Sequence, residues 1–486
     1  MQGIDPRELL FLIPEIVLGV CGMGLLLVGV LGRWLRNREA TILALVSLAG
    51  TLGLVLWTQR GIEAPNVILS GLFVLDGFAF YWKVVVLVAT GMTVCLSTRF
   101  IDEGGYRPGE YYSLLLLATT GMMLMASGLS LLSIWIALEL MALSSYVLVG
   151  YFKRERKSIE AALKYFVLGA LSSGVLLYGI SLLYGATGTF QLVELADRLP
   201  AASAEHGTLI AIGWLLLAVG LLFKVAAVPF HMWTPDVYQG APTPVTAFLA
   251  AASKAASFAI LVRILFQGLP PGTIDWQPVV SVVAVLTMIW GNLAALTQTN
   301  VKRMLAYSSI GHAGYVLLGV LAANEVGLWA VLFYLVAYTF MTMGVFATVI
   351  LLERREYAGE TYSDYAGLAG RAPLLAAMML IFLLALTGIP PTGGFFGKIY
   401  LFAAAIRAGY TWQAVVGVVT SAISLYYYFG LVVNMYLKES DKDTPTPLQA
   451  PALTAAIVAC AIVTLLLGLL PQTLVDFATE SILALR

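Results

Sequence analysis

Long apolar stretches recur along the whole chain and restrict what it can fold into. A segment of about twenty apolar residues is long enough to cross a lipid bilayer as an α-helix, and backbone polar groups inside a bilayer must be satisfied by protein. About fourteen such stretches are present. They run approximately over residues 8–31, 40–58, 78–98, 110–127, 130–151, 159–186, 208–235, 243–266, 277–298, 303–322, 326–352, 372–405, 411–437 and 450–480. We therefore expect an all-α polytopic membrane protein with about 14 transmembrane helices.

Composition agrees with this fold class and excludes several others. Hydrophobic residues make up 60% of the chain and charged residues 11%, whereas soluble domains have about 25% charged residues. Acidic and basic residues balance at 27 each, so no basic surface for nucleic acid is indicated. Cys21, Cys95 and Cys460 are far apart in apolar stretches, which is typical of packing residues rather than of a disulfide framework or metal cluster.

Motifs for nucleotide or iron–sulfur chemistry are missing from the sequence. It contains no Gly-rich phosphate loop and no cysteine cluster. We therefore expect the energy for any transport to come from an ion gradient or from another subunit. The start of the chain lacks the basic region and cleavage site of a signal peptide, so the first helix is expected to be retained.

The loops between the stretches alternate in charge. Most loop Lys and Arg residues follow odd-numbered stretches, as in residues 153–157. Loops rich in Lys and Arg stay in the cytoplasm. The sequence therefore predicts a multi-pass membrane protein with the basic loops in the cytoplasm and both termini on the opposite side.

Six basic residues and the acidic Glu139 stand out because they lie inside the stretches instead of in the loops. An ionised side chain in the hydrocarbon core is costly, so such residues usually face a partner, a cavity or a pathway. They are Lys83, Lys164, Lys224, Lys254, Arg263, Lys398 and Glu139.

The position of each basic residue suggests which ones are functional. Lys83 and Arg263 lie near the ends of their stretches, where a long side chain can snorkel to the interface, so Lys83→Ala is expected to be mild. Lys164 follows a basic loop, and its position is equally compatible with snorkelling and burial. The remaining three have apolar turns on both sides and are the functional candidates: Lys224, Lys254 and Lys398.

Prolines interrupt two of the stretches beside these lysines. Pro229 follows Lys224 in LLFKVAAVPFHMW, and Pro390 and Pro391 precede Lys398 in ALTGIPPTGGFFGK. Proline removes a backbone donor and clashes with the preceding turn, so both helices should be broken within the membrane.

Each broken stretch is the fourth of five if stretches four to eight and nine to thirteen form two units. An odd number of spans inverts the second copy, as in transporters built from inverted repeats. The predicted organisation is three N-terminal helices in 1–109, a first five-helix repeat in 110–268, an inverted repeat in 269–437 and a C-terminal helix in 438–486. Chance occurrence of two proline-broken helices is the alternative.

Buried lysines can relay protons if their environment changes their affinity for a proton. A free lysine has a pKa of about 10.4, and burial among apolar groups can lower a lysine pKa by up to about 3–5 units. If Glu139 approaches Lys224 it holds the proton on the lysine, and if it withdraws the proton is released more easily. The alternative is a static ion pair that fixes helix packing.

Other polar residues could extend such a relay. His231 and His312 titrate near neutrality, but hydrogen-bonded packing is equally compatible with either. Tyr426, Tyr427 and Tyr428 offer hydroxyls, although aromatic packing is the simpler interpretation.

Three segments of the chain resemble a known family. FKVAAVPFHMWTPDVYQGAPTPVTAFLAAASKAASFAILVR, NVKRMLAYSSIGHAGY and GIPPTGGFFGKIYLF are similar to the antiporter-like subunits of respiratory complex I and of Mrp cation/proton antiporters. The resemblance covers about residues 110–437. It implies two inverted five-helix repeats and a proton-translocating membrane subunit of NADH:quinone oxidoreductase. Such a subunit would lie in the bacterial inner membrane, with both termini periplasmic. The alternatives are an Mrp-type Na+/H+ antiporter subunit and a structural spacer with inert charges.

The resemblance also implies roles for individual residues. Glu139 and Lys224 match the family's charged pair, Lys254 its central lysine and Lys398 its terminal relay lysine. Lys164 and His231 match two further positions of the family that are thought to assist the relay. No cofactor is expected in this chain; FMN, iron–sulfur clusters and quinone would be bound by partner subunits. The expected partners are neighbouring antiporter-like and small membrane subunits, the lipid bilayer and protons.

Overall fold

The computed structural model describes residues 8–31, 35–59, 64–270, 272–353, 359–439 and 450–485, and most of these are helical. Among them, eleven helices are long and apolar enough to cross a membrane, or twelve if one bent C-terminal pair is a single span. The other two predicted spans are also helical. One is a 20-residue helix that contains Tyr, Ser and Thr residues, and the other is divided into two 15-residue helices.

The helices follow one another with short connections. In chain order they are α1 (Ile13–Leu31), α2 (Asn37–Gln59), α3 (Gly77–Gly104), α4 (Pro108–Ser127), α5 (Leu131–Val149), α6 (Arg156–Thr187), α7 (Leu192–Lys224), α8 (Trp233–Gly240), α9 (Thr243–Phe248), α10 (Lys254–Arg263), α11 (Gln277–Leu296), α12 (Val301–Leu321), α13 (Glu325–Leu352), α14 (Leu368–Arg371), α15 (Pro373–Thr387), α16 (Gly393–Arg407), α17 (Thr411–Leu437), α18 (Pro451–Leu469) and α19 (Gln472–Ile482). Single 3₁₀ turns lie at Glu8–Leu12, Tyr362–Tyr365 and Leu483–Leu485. π-Helical turns at Leu249–Ser253 and Ile264–Gly268 continue α9 and α10 into one rod.

A small β-hairpin, not predicted from the sequence, joins α2 to α3. Strands β1 (Asn66–Ile68) and β2 (Phe73–Leu75) pair antiparallel, with Val67 opposite Val74. Strands of three residues are too short to show an alternating apolar pattern. The next residue, Asp76, caps α3 by accepting a hydrogen bond from the Ala79 backbone at 2.7 Å.

Both predicted breaks are present at the prolines. Helix α7 ends at Lys224 and α8 begins at Trp233, while α15 ends at Thr387 and α16 begins at Gly393. The free backbone groups at these ends are therefore available to polar side chains.

The predicted last span, 450–480, is not one straight helix. Its two parts meet at 83° beside Pro471, and α19 is amphipathic. Asp476 and Glu480 are exposed, whereas Ala478 and Ile482 are buried where α19 packs against α3 and α13. An apolar count over this region does not distinguish a crossing helix from an amphipathic one.

Three helical segments form the centre of the protein. In the most apolar part of each segment, all residues of Thr243–Gly268 and 94% of the residues of α12 and of α13 are buried. In α2 the corresponding share is 28%. Most side chains in these parts of the three segments are therefore shielded from lipid by protein.

Neighbouring helices are arranged similarly in the two predicted repeats. Helix α4 packs against α5 as α11 packs against α12, and α6 contacts both halves of its broken neighbour as α13 does. The division into repeats at the predicted boundaries is still a prediction.

The snorkelling prediction is wrong for both residues to which it was applied. Lys83 is fully buried, with Nζ 2.6 Å from Glu15 Oε1 and 3.1 Å from Gln59 Oε1. Arg263 is also fully buried and donates to both carboxylate oxygens of Asp76 at 2.8 and 2.9 Å. Each acid lies on a distant part of the chain, so closeness to a span end alone could not reveal the pairing.

The predicted orientation compares the Lys and Arg residues in the loops on the two sides of the membrane. Some of these residues lie outside the described ranges. They are Arg7, Arg33, Arg60, Arg354, Arg355, Lys442 and Arg486. The predicted membrane orientation is still a prediction.

Candidate functional site

Lys224 is the last residue of α7, immediately before the first break. Its side chain is buried, and Nζ lies 3.5 Å from the Tyr146 hydroxyl, a long hydrogen bond. The ammonium also lies 5.7 Å from the Tyr146 ring centroid and 5.9 Å from that of Phe223. Aromatic faces attract a cation without fixing it at one point. Lys224 is thus held weakly.

Glu139 lies on α5 and is only partly buried. It accepts a hydrogen bond from Ser173, whose hydroxyl also accepts one from Trp135 Nε1 at 3.0 Å. Glu139 is close enough to Lys224 to interact electrostatically, but no ion pair within 4 Å joins these two described residues. Tyr146, which contacts Lys224, lies two turns after Glu139 on the same face of α5.

Lys254 begins α10, directly after a π-helical turn. Its Nζ donates to the Ser309 carbonyl at 2.6 Å and to the Ser309 hydroxyl, and it lies 5.8 Å from the Tyr338 ring centroid. A single serine of the central helix α12 therefore binds this lysine through two atoms.

Lys398 lies on α16 and points back toward the second break. Its Nζ donates to the carbonyls of Leu386 and Thr387, at 2.9 and 2.8 Å, and to the Ser421 hydroxyl at 2.7 Å. The two carbonyls have no helical N–H partner because α15 ends there, although Ser421 also donates to the Thr387 carbonyl at 3.0 Å. The negative end of a helix dipole favours a cation at this place. The break itself thus forms the binding site for the lysine.

His312 lies at the centre of a buried hydrogen-bonded group on α12. Its Nδ1 shares a hydrogen bond of 2.5 Å with the Tyr334 hydroxyl, and its Nε2 one of 3.1 Å with the Tyr428 hydroxyl. Tyr428 also shares a hydrogen bond with Ser308, the residue next to the partner of Lys254. This group therefore begins one residue from the Lys254 site.

A second set of hydrogen bonds continues toward Lys398. The Tyr427 hydroxyl donates to Asn292 Oδ1 at 3.0 Å, and Asn292 Nδ2 donates to the Tyr315 hydroxyl at 3.0 Å. The Tyr315 ring centroid lies 4.8 Å from Lys398 Nζ. Since Tyr427 and Tyr428 are neighbours on α17, the two sets extend from the Lys254 side to Lys398.

Aromatic rings lie between Lys224 and the Lys254 site. The row comprises Tyr146, Tyr165, Trp233 and Tyr238, whose consecutive ring centroids are 4.7, 4.6 and 6.4 Å apart. The Tyr238 hydroxyl interacts with Ser309. The two halves of the candidate site are therefore connected mainly by rings, not by a continuous series of hydrogen bonds.

Lys164 and His231 make no hydrogen bond or ion pair with Lys224, Lys254 or Lys398 among the described contacts. The Lys164 side chain is 42% exposed and pairs with Asp236 at 2.7 Å and Glu160 at 2.8 Å. His231 lies in the first break beside the Trp290 ring, with centroids 6.2 Å apart. Its Nδ1 is buried and has no hydrogen-bond partner among the described residues.

Sequence reasoning did not select the residues that connect the lysines. From the sequence alone, His312 is equally compatible with a relay and with packing, and no pattern points to Tyr334. A histidine in an otherwise apolar span was the available signal. Tyr427 and Tyr428 both pack and hydrogen bond, whereas Tyr426 is 75% exposed.

Within the described ranges, no group of three or more His, Cys, Asp or Glu side chains could hold a metal ion.

The sequence and the fold were compared with known proteins. Residues 128–424 match the family described as NADH:quinone oxidoreductase/Mrp antiporter, TM. The chain is similar to NADH-quinone oxidoreductase subunit N of Trichlorobacter lovleyi, with 43% identity over 97% of this chain and 96% of the relative. The corresponding subunit of Moorella thermoacetica is 43% identical over 96% of this chain and 97% of the relative.

Solved structures with the same fold include chains from different kinds of complex. A chain of respiratory complex I from Thermus thermophilus with bound aureothin has a TM-score of 0.81 and 37% identity, covering 96% of this chain and 100% of that one. A chain of the Mrp complex from Dietzia sp. DQ12-45-1b has a TM-score of 0.83 and 26% identity, covering 98% and 96%. Similarity of fold alone does not distinguish the two kinds of complex, whereas sequence identity is higher to the first.

Proposed function

Since the chain belongs to the NADH:quinone oxidoreductase/Mrp antiporter family, we propose that it acts as subunit N of a bacterial NADH-quinone oxidoreductase. In this role it moves protons across the membrane through its buried lysines. The near full-length relatives of Trichlorobacter lovleyi and Moorella thermoacetica bear that name. The segment PDVYQGAPTPVTAFLAAASKAA also resembles subunit N more closely than the other antiporter-like subunits.

The observation that carries the proposal is the buried connection between Lys254 and Lys398. Ser, Tyr and His side chains can both donate and accept hydrogen bonds. A series of such groups around His312 can therefore accept a proton at one end and release one at the other. Static packing does not require so many side chains that both donate and accept hydrogen bonds between two enclosed lysines.

Lys224 and Glu139 form the adjustable end of this pathway. Lys224 has one long hydrogen bond, so its ammonium can move while α7 stays in place. Its attraction to Glu139 rises as the two approach and falls as they separate. Motion of Glu139 or of the break would therefore change how firmly Lys224 holds its proton.

Energy for this movement would come from other subunits. We expect flavin, iron–sulfur clusters and quinone to be bound by those partners, and the neighbouring membrane subunits to transmit the coupling. The lysines of this chain would respond to the resulting change in charge or shape.

The direct test is Lys224→Ala in the assembled complex, measured in native membrane vesicles. We expect NADH-driven proton pumping to fall by about tenfold, equivalent to about 1.4 kcal/mol, while NADH:ferricyanide activity is retained. The matched control is Lys153→Ala, because Lys153 is exposed in a loop and should pump normally. Normal pumping by Lys224→Ala would contradict the proposed relay.

Copurification distinguishes the proposal from an Mrp-type antiporter. A tagged chain extracted in mild detergent should bring flavin and iron–sulfur subunits with it, visible in the absorption and EPR spectra. Recovery with other membrane subunits but without redox centres would instead support the antiporter.

A further inference from the structure

Asp236 connects the short helix α8 to two other helices. Its Oδ2 lies 2.7 Å from Lys164 Nζ on α6, and its Oδ1 lies 2.6 Å from an Arg303 guanidinium nitrogen on α12. Arg303 also donates to Gln239 of α8 at 3.2 Å. The carboxylate is partly buried, so these charged hydrogen bonds are stronger than fully exposed ones. One side chain therefore fixes α8 between α6 and α12.

Trp233 lies one turn before Asp236 and on the same face of α8. Its ring stacks on Tyr165 of α6, with centroids 4.6 Å apart and planes inclined by 15°. Its Nε1 donates to the Phe223 carbonyl at 3.0 Å, across the first break. Phe223 directly precedes Lys224, so Trp233 anchors the backbone that carries the lysine.

We propose that Asp236 is a positioning residue for Lys224. By holding α8 against α6 and α12, it keeps Trp233 on the Phe223 carbonyl and thereby keeps Lys224 Nζ beside Tyr146. This inference rests on the proposed function, because the consequence of misplacing Lys224 is a loss of proton transfer.

The charges around Asp236 explain why an amide cannot replace it. In Asp236→Asn, Lys164 and Arg303 lose their shared negative partner and repel each other across a neutral group. Glu160 also contacts Lys164, at 2.8 Å, but it lies on the same helix α6 and is 59% exposed. Glu160 therefore cannot hold α8.

The experiment compares Asp236→Asn, Asp236→Glu and Glu160→Gln in the full complex, alongside Lys224→Ala. Proton pumping is normalised to NADH:ferricyanide activity and to the amount of assembled complex. Loss of one charged hydrogen-bonding partner predicts a decrease on the order of fivefold in normalised pumping for Asp236→Asn. Asp236→Glu should recover most of the loss because it restores the charge, and Glu160→Gln should match the unmodified complex.

The outcomes separate this inference from the proposed function. If Lys224→Ala abolishes pumping but Asp236→Asn pumps normally, the positioning role is wrong and the relay stands. If Asp236→Glu recovers nothing, or Glu160→Gln is equally damaging, the effect does not depend on the bridge to α8. Normal pumping by Lys224→Ala would overturn the proposed function itself.

Discussion

Two lysines lie beside proline breaks, yet their surroundings differ. Lys224 is the last residue before the first break and has one long hydrogen bond, whereas Lys398 follows the second break and has three short ones. Helical side chains point toward the N-terminus of their helix. Lys398 therefore points back to the free carbonyls of α15, while Lys224 points away from those at the end of its own helix.

In the proposed function, this difference gives the two halves of the molecule separate tasks. The Lys254–Lys398 half is enclosed and contains the hydrogen-bonded groups around His312 and Asn292, and in the proposed function it conducts protons. In the other half Glu139 is only partly buried and Lys224 has one long hydrogen bond, so we expect this half to respond to a neighbouring charge. A similar sequence pattern thus produces a fixed site and an adjustable site, depending on which side of the break carries the lysine.

The largest effect should follow from removing the central charge of the conducting half. Lys254→Met has a similar length but neither charge nor donor, so Ser309 loses its partner and the relay is interrupted. We expect coupled NADH oxidation in vesicles to fall by more than about tenfold. If Lys254→Met instead proves milder than Lys224→Ala, the division into conducting and adjustable halves is incorrect.

A smaller effect is expected when the connection is altered but both lysines remain. His312→Phe retains the ring and removes both nitrogens, which leaves the hydroxyls of Tyr334 and Tyr428 without their shared partner. Proton pumping should fall about fivefold, as expected for the loss of one or two buried hydrogen bonds. Tyr426→Phe is the control, because its exposed hydroxyl lies outside the group. Equal pumping rates in the two variants would show that the His312 group is only structural.

Pumping should change least when the buried pair of Lys83 and Glu15 is altered, because this pair belongs to neither half. Lys83→Ala leaves a buried carboxylate unpaired, and breaking such a pair destabilises proteins by about 3–5 kcal/mol. The amount of assembled complex should therefore decrease in native gels, whereas pumping per assembled complex stays normal.

The control for that pair is the double variant Lys83→Met with Glu15→Leu, which removes both charges and should restore assembly. A loss of pumping per assembled complex in Lys83→Ala would place this pair on the proton pathway.

The sequence was sufficient to predict the helical membrane fold and both breaks, because apolar length and proline act locally. It also identified Lys224, Lys254 and Lys398 as buried, since an isolated charge in the middle of an apolar stretch is visible without a structure. Contacts between distant segments were not predictable in this way. The pairs Lys83–Glu15 and Arg263–Asp76, the His312 group and the role of Asp236 all depend on which helix faces lie together.

The central claim is that protons pass through the lysines of this chain. The most direct measurement is the number of protons pumped per electron by the purified complex in liposomes, with and without Lys254→Met. A lower ratio in the variant, at unchanged NADH:ferricyanide activity, is the predicted result. An unchanged ratio together with normal coupled activity would show that protons cross the membrane elsewhere.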